Sequence, residues 1–157
     1  MIFFLWNMML ALVWTFAIGD LTASSLAIGF VLGWLVLCLG RDVIGSRDYT
    51  RRTRKIAELA GFFAWELLLA NLRVAWDVLT VKHYMRPAIV AVPLEAATDG
   101  EITLLANLIS LTPGTLVIDI SPDRRVLFVH SMYTNDPGRV RQQLKEGFER
   151  RVLEVLR

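Results

Sequence analysis

Charge is almost missing from the first forty residues of this 157-residue chain, where Asp20 is the only charged side chain. The uncharged stretches on either side of it, residues 1–19 and 21–40, each approach the ~20 residues that an α-helix needs to cross a bilayer. The connection between them is so short that it permits little except an antiparallel helix hairpin. The sequence therefore predicts a transmembrane helix hairpin over residues 1–40 and a multi-pass membrane protein.

Residues that carry catalysis or bind metals are also scarce. Cys38 is the only cysteine, which excludes an internal disulfide, and the two histidines are separated by most of the C-terminal half. The chain has no glycine-rich phosphate loop, no nucleophile elbow and no Cys/His cluster. We therefore expect no enzyme activity, no metal site and no cofactor.

Positive charge is concentrated directly after the hairpin. Six of the fifteen residues at 41–55 are basic: Arg41, Arg47, Arg51, Arg52, Arg54 and Lys55. Membrane loops rich in Lys and Arg usually remain in the cytoplasm, so we expect a basic cytoplasmic loop over 41–55. The surface of the lipid bilayer would attract this charge. No motif for reading bases accompanies it, so we expect no nucleic-acid partner.

The hairpin itself carries a pattern of small residues but no charge at membrane depth. Ser25, Gly29 and Gly33 recur at four-residue spacing on the second helix. Such spacing either lets two helices pack closely within lipid or reflects simple tolerance of glycine in a membrane helix. Because ion paths normally need ionisable groups inside the membrane, the hairpin resembles an anchor rather than a conduit.

Residues 56–82 are predicted to form an amphipathic or third transmembrane helix. Its polar residues fall within one sector of the helix, and the other faces are apolar except for Asn71. The helix either lies along the membrane surface or spans it with the polar stripe against partner subunits; basic residues at both ends favour the first. Four residues are candidates for a subunit contact or for the border of an ion path, namely Glu66, Asn71, Arg73 and Asp77.

Residues 83–157 have the pattern of a small cytoplasmic α+β domain. A short apolar strand at 88–93 is followed by Thr98 and Glu101, which match a capping box at the start of a helix. Strands follow at 115–121 and 126–132. Alternation places Leu116, Ile118 and Ile120 on one face of the first of them.

The last helix is predicted from Asp136 onward, and its apolar side carries Val140, Leu144, Phe148, Val152 and Val155. The resulting order β-α-β-β-α resembles a ferredoxin-like unit that lacks its last strand. One face of such a sheet would need cover from elsewhere.

The segment from Ile102 to Leu116 carries a specific resemblance. Its core is Ser110-Leu111-Thr112-Pro113-Gly114-Thr115, followed by an Asp-bearing strand, a turn and a strand that ends in Phe128-Val129-His130. This pattern, together with the hydrophobic hairpin and the chain length, is similar to the E subunit of Mrp-type multisubunit sodium/proton antiporters.

The resemblance implies an accessory subunit of a cation/proton antiporter in a bacterial inner membrane. It also implies a cytoplasmic domain, a role in assembly and stability, and partners among the other integral membrane subunits. In that family the core motif, Ser110 with Thr112 to Thr115, is expected to be structural. The residues alone leave an alternative open, a membrane-tethered ligand- or peptide-binding module that uses a free sheet edge.

Overall fold

The computed structural model describes residues 2–40, 45–80 and 85–157. It divides into two compact units, Met1–Arg54 and Lys55–Arg157. Arg41, Lys82, His83 and the predicted boundary between residues 82 and 83 lie outside the described residues.

The first unit contains the predicted helix pair. Helix α1 runs over Ile2–Ile18 and helix α2 over Ala23–Leu39. The Thr22 hydroxyl accepts a hydrogen bond from the Ser25 amide at 3.3 Å, which caps the start of α2. Each helix has 17 residues and is therefore about 25 Å long. Large apolar side chains remain exposed along both helices, as a hairpin in lipid requires.

Helix α3 runs over Arg47–Leu79 and is the longest element of the described chain. The prediction that residues 41–55 form a loop is wrong from Arg47 onward. Arg and Lys are good helix formers, and no Pro or Gly interrupts the sequence between Arg47 and Ala60. The first hydrogen bond at the start of the helix runs from the Thr50 amide to the Ser46 carbonyl at 3.0 Å. Within the described ranges, α3 is the one helix long and apolar enough to cross a membrane, while α1 and α2 are shorter apolar helices.

The second unit contains the α+β domain. Its elements are β1 (Ala88–Pro93), α4 (Asp99–Leu111), β2 (Thr115–Ile120), β3 (Val126–Ser131) and a last helix in three parts. Strand β3 lies between β1 and β2 and is antiparallel to both. Thr98 and Glu101 form the predicted capping box. The core joins one face of the sheet to α4, the last helix and α3. Its buried members are Leu59, Val90, Val92, Leu105, Ile109, Leu127, Val129, Leu144, Phe148, Val152 and Val155, and Phe62 and Phe63 of α3 pack against them.

Strand β2 differs from the predicted alternation. A β-bulge lies between Val117 and Asp119, so that Val117 pairs with Val129 and Ile120 pairs with Leu127. Because Val129 and Leu127 point into the core, Val117 and Ile120 pack against it as well, while Leu116 and Ile118 stay exposed. The prediction that Leu116, Ile118 and Ile120 share one face is therefore wrong.

The last helix is not uniform. It consists of α5 (Pro137–Gln143), a π-helical turn (Leu144–Glu149) and α6 (Arg150–Leu156). Leu144, Phe148 and Val152 are spaced by four residues, which on a regular α-helix would drift by about 40° per step. The wider π turn absorbs this drift, so that all three side chains are buried.

Candidate functional site

The core motif, Ser110 with Thr112 to Thr115, closes the end of α4. Pro113 cannot continue the helix. The hydroxyl groups of Thr112 and Thr115 donate hydrogen bonds to carbonyl groups near the end of α4, where the backbone of a helix lacks partners. Thr112 Oγ1 donates to the Leu108 carbonyl at 3.0 Å, and Thr115 Oγ1 donates to the Ile109 carbonyl at 2.6 Å. These hydroxyls are therefore occupied within the fold.

Ser110 and Gly114 connect the same motif to the sheet. The Ser110 hydroxyl accepts a hydrogen bond from the Val117 amide of β2 at 3.2 Å. Gly114 has a φ of +87°, a conformation that favours glycine, and a Cβ there would lie 3.1 Å from the Tyr133 ring. Because Gly114 has no side chain, the Tyr133 ring can pack directly against the motif.

Tyr133 joins the motif to helix α3. The Arg73 guanidinium lies over its ring, 5.5 Å from the centroid. Burial raises the pKa of Tyr133, and the neighbouring Asp77 carboxylate raises it further. Asp77 is 3% exposed, and its Oδ2 atom and the Tyr133 hydroxyl are both buried without a hydrogen-bond partner among the described residues.

A second contact joins α3 to the π turn. The rings of Phe62 and Phe148 meet edge to face with centroids 5.1 Å apart, and a Cβ on Gly147 would lie 3.1 Å from Phe62. Arg151 stacks over the Phe62 ring at 4.0 Å and donates to the Gly147 carbonyl at 2.8 Å. The π turn, with Gly147 and Phe148, and Arg151 together form the surface against which Phe62 packs.

A cleft of about 420 Å³ lies between these two contacts. Glu66 and Arg73 line it from α3, and residues 112–115 of the motif line it from the domain. Two predicted sets of residues, the polar stripe and the motif, are therefore brought together. Among the described residues no group of three or more His, Cys, Asp or Glu side chains could hold a metal ion.

The four polar candidates of α3 do not share one environment. Arg73 and Asp77 contact Tyr133, and Glu66 is half-buried in the cleft. Asn71 is exposed, and its Nδ2 atom donates to the Leu67 carbonyl at 2.7 Å. The structure separates Asn71 from the other three.

The small residues of the hairpin lie where α1 and α2 meet. Ser25, Gly29 and Gly33 are all buried. A Cβ on Gly29 would lie 2.9 Å from the Ala11 carbonyl oxygen, and one on Gly33 would lie 3.0 Å from Leu10 Cβ. Neither glycine can gain a side chain without movement of the opposite helix.

Two buried carboxylates hold the segment before α4: Glu101, which the capping box predicted, and Glu149, which the sequence did not single out. Glu149 is 2% exposed, and its Oε1 accepts the Glu95 and Ala96 amides at 2.6 and 3.0 Å. Glu101 Oε2 accepts the Ala97 amide at 2.8 Å, and its Oε1 accepts Arg157 Nε at 2.9 Å. Arg157 and the amides together hold the pKa of Glu101 at about 2.

Sequence comparison decides the family. Residues 7–155 match the family described as Na+/H+ ion antiporter subunit. The chain belongs to this family. The E subunit of the Na+/H+ antiporter of Bacillus subtilis is 39% identical over 151 residues, which cover 96% of each chain. The corresponding protein of Alkalihalophilus pseudofirmus is 38% identical over 149 residues, or 95% of this chain and 94% of that one.

Solved structures agree with this membership. A chain of the Mrp complex from Dietzia sp. DQ12-45-1b is 29% identical with a TM-score of 0.51, and the match covers 65% of this chain and 96% of that one. A chain of the membrane-bound sulfane sulfur reductase, an archaeal respiratory membrane complex, has a TM-score of 0.55 over 96% of both chains. At 23% identity the second likeness concerns the fold alone. The resemblance inferred from the motif is confirmed, and the chain is a subunit of a membrane antiporter complex.

Proposed function

We propose that this chain is an accessory subunit of the multisubunit sodium/proton antiporter, and that it contributes to assembly and stability of the complex. The observation that carries the proposal is the distribution of apolar surface. Large apolar side chains are exposed along α1, α2 and α3, among them Trp6, Phe16, Val31, Leu72 and Trp76. A chain with this surface needs lipid and neighbouring integral membrane subunits to cover it.

We propose further that the C-terminal domain is cytoplasmic in a bacterial inner membrane. The basic residues of segment 41–55 favour the cytoplasmic side, whereas the connection between α1 and α2 carries only Asp20. The order of the strands, with β3 between β1 and β2, supports a ferredoxin-like unit that lacks its last strand.

The polar candidates of α3 receive different proposed roles. Arg73 joins α3 to Tyr133 with Asp77 close beside it, and Glu66 lies in the neighbouring cleft. These contacts within the second unit favour a structural role over the border of an ion path. Asn71 is exposed and donates to the Leu67 carbonyl of its own helix, so we assign it no role in an ion path.

Co-purification of the tagged full chain from native membranes tests the proposal. We expect several polytopic subunits in the eluate, and we expect deletion of the chain to lower the yield of the assembled complex along with its transport. Recovery of the chain as a stable monomer would contradict the accessory role, as would a fully assembled complex in its absence. A reporter that is active only in the cytoplasm, fused after Arg157, tests the topology separately.

A further inference from the structure

Helix α3 has one side that its own domain already covers. The covered side begins with Lys55, whose Nζ lies 3.8 Å from Glu154 Oε2, continues through Phe62 against Phe148, and ends with Asp77 near Tyr133. These contacts extend from residue 55 to residue 77, which is about 33 Å of helix. If α3 crossed the bilayer, a domain rich in ionised groups would accompany it into the hydrocarbon, where charges are very costly.

The opposite side of α3 is apolar and uncovered. Trp65, Leu72 and Trp76 are 59%, 58% and 65% exposed, and Leu68, Val78 and Leu79 are exposed with them. The only charged residues between Ile56 and Leu79 are Glu58, Glu66, Arg73 and Asp77. A helix with a wide apolar side and a charged side suits the boundary between lipid and water.

The start of α3 is fixed to the end of the hairpin. Trp34 Nε1 donates to Thr53 Oγ1 at 2.7 Å, Asn7 Nδ2 donates to the Tyr49 hydroxyl at 3.0 Å, and the Ser46 hydroxyl donates to the Leu37 carbonyl at 2.6 Å. These contacts lie near the first turns of α1 and the last turns of α2, where a membrane-spanning hairpin reaches the headgroups. The first turns of α3 therefore lie at the level of the membrane surface.

We propose that α3 lies in the plane of the membrane surface and that phospholipid, rather than another subunit, covers its exposed apolar side. Two tryptophans on this side favour lipid, because indole rings concentrate at the level of the headgroups. Exposed Arg51 and Arg52 near the start of α3 provide the positive charge that anionic headgroups attract. The inference rests on the membrane placement in the proposed function and adds what covers α3.

Spin labels can measure the depth, because the chain has a single cysteine to remove. In a Cys38→Ser background, one cysteine is placed at Leu68, Leu72 or Leu79 of α3. Two matched controls use side chains of similar exposure, Ile28→Cys on α2 and Leu116→Cys on β2, both 53% exposed in the wild type. Each labelled variant is reconstituted in vesicles, both in the complex and as the chain alone, and its accessibility to oxygen and to a water-soluble nickel chelate is measured.

We expect the three α3 labels to lie at one shallow depth, equal within about 5 Å, which is one helical turn. For each α3 label, the ratio of oxygen accessibility to nickel accessibility should be several-fold higher than for the label at position 116. Each α3 label should also lie less deep in the bilayer than the label at position 28. A progressive change of about 16 Å between positions 68 and 79 would show a spanning helix and overturn the proposal.

Low accessibility to both reagents would overturn the proposal by showing a covering subunit, and preference for nickel would overturn it by placing α3 in water. The outcome is independent of the co-purification test, since a chain with no partners could still place α3 at the measured depth.

Discussion

At the scale of single residues, the segment between β1 and α4 shows how buried charge organises this domain. Four successive amides, those of residues 95–98, are accepted by the carboxylates of Glu149 and Glu101. Each carboxylate also has a cation nearby, Lys145 for Glu149 and Arg157 for Glu101. The two acids therefore link the middle of the last helix, at Glu149, and its C-terminal end, at Arg157, to the segment that precedes α4.

Acid should loosen this link, and the Glu101→Gln variant tests it. The folded pKa of about 2 lies below the ordinary 4.5, so between these values the unfolded chain binds a proton that the folded chain does not. The contribution of Glu101 to stability is therefore complete above about pH 5 and is lost as the pH falls towards 2. We expect thermal unfolding of the purified full chain to depend less on pH in the variant than in the wild type.

Glu146→Gln is the matched control for this experiment, because the Glu146 carboxylate accepts the exposed side-chain amide of Gln142 one turn earlier on its own helix and not the segment before α4. It should keep the acid dependence of the wild type. Equal pH dependence in the Glu101→Gln variant and the wild type would contradict the role assigned to this carboxylate.

Phe62 is the residue on which the docking of α3 depends most. Replacement by Ala removes the edge contact with Phe148 and the stacking of Arg151, and we expect a loss of about 2 kcal/mol, less than for a fully buried ring. Amide hydrogen exchange along α3 should increase around residues 59–77. Phe30→Ala, which removes a ring contact with Phe4 inside the hairpin, should leave the exchange of that region unchanged.

At the scale of elements, the sequence predicted every strand and helix of the domain, because each has a local signal. The capping box of Thr98 and Glu101, the proline before β2 and Asp136 before α5 all mark ends of elements. The bulge in β2 was missed, since it depends on the pairing with β3 and not on the alternation within β2. The π turn was missed although two signals were present, the four-residue spacing of Leu144, Phe148 and Val152 and the isolated Gly147.

The edges of the sheet argue against the alternative of a peptide-binding module. On β1, Arg141 Nε donates to the Ala91 carbonyl at 2.8 Å. On β2, the Val117 amide donates to the Ser110 hydroxyl, and the β-bulge follows directly after Val117. An added strand would have to displace these groups, since bulges and side chains of this kind are how proteins block edge pairing.

Two glycines of similar sequence context should respond oppositely to alanine. Gly29 has the Ala11 carbonyl oxygen 2.9 Å from its would-be Cβ, whereas nothing lies within 4 Å of the equivalent position on Gly61. Gly29→Ala should lower the thermal stability of the detergent-solubilised chain by separating α1 and α2. Gly61→Ala should raise it or leave it unchanged, because alanine favours the helix by about 0.5–1 kcal/mol. Equal destabilisation by both variants would show that close helix packing at Gly29 is not decisive.

At the scale of the whole molecule, the chain divides its surface between two environments. The charged side of α3 faces its own domain, and the apolar sides of the three long helices remain exposed. Composition predicted an amphipathic helix at α3, but it could not show which side the domain covers, because that depends on contacts of Tyr133 and the π turn far along the chain. The same contacts place Glu66, a candidate transport acid, in the cleft between α3 and its own domain.

Transport by the assembled complex is the property that distinguishes the two roles considered for Glu66. Because Glu66 lines a cleft inside its own unit, we expect Glu66→Gln to leave sodium/proton exchange in vesicles within about twofold of the wild type, a change of ~0.4 kcal/mol. The amount of assembled complex must be measured in the same membranes, so that a loss of subunits is not mistaken for a loss of transport. Asp77→Asn serves as the comparison, since it alters a buried carboxylate beside Tyr133 and should reduce assembly instead. A large fall in exchange at normal assembly for Glu66→Gln would restore this acid to the border of an ion path.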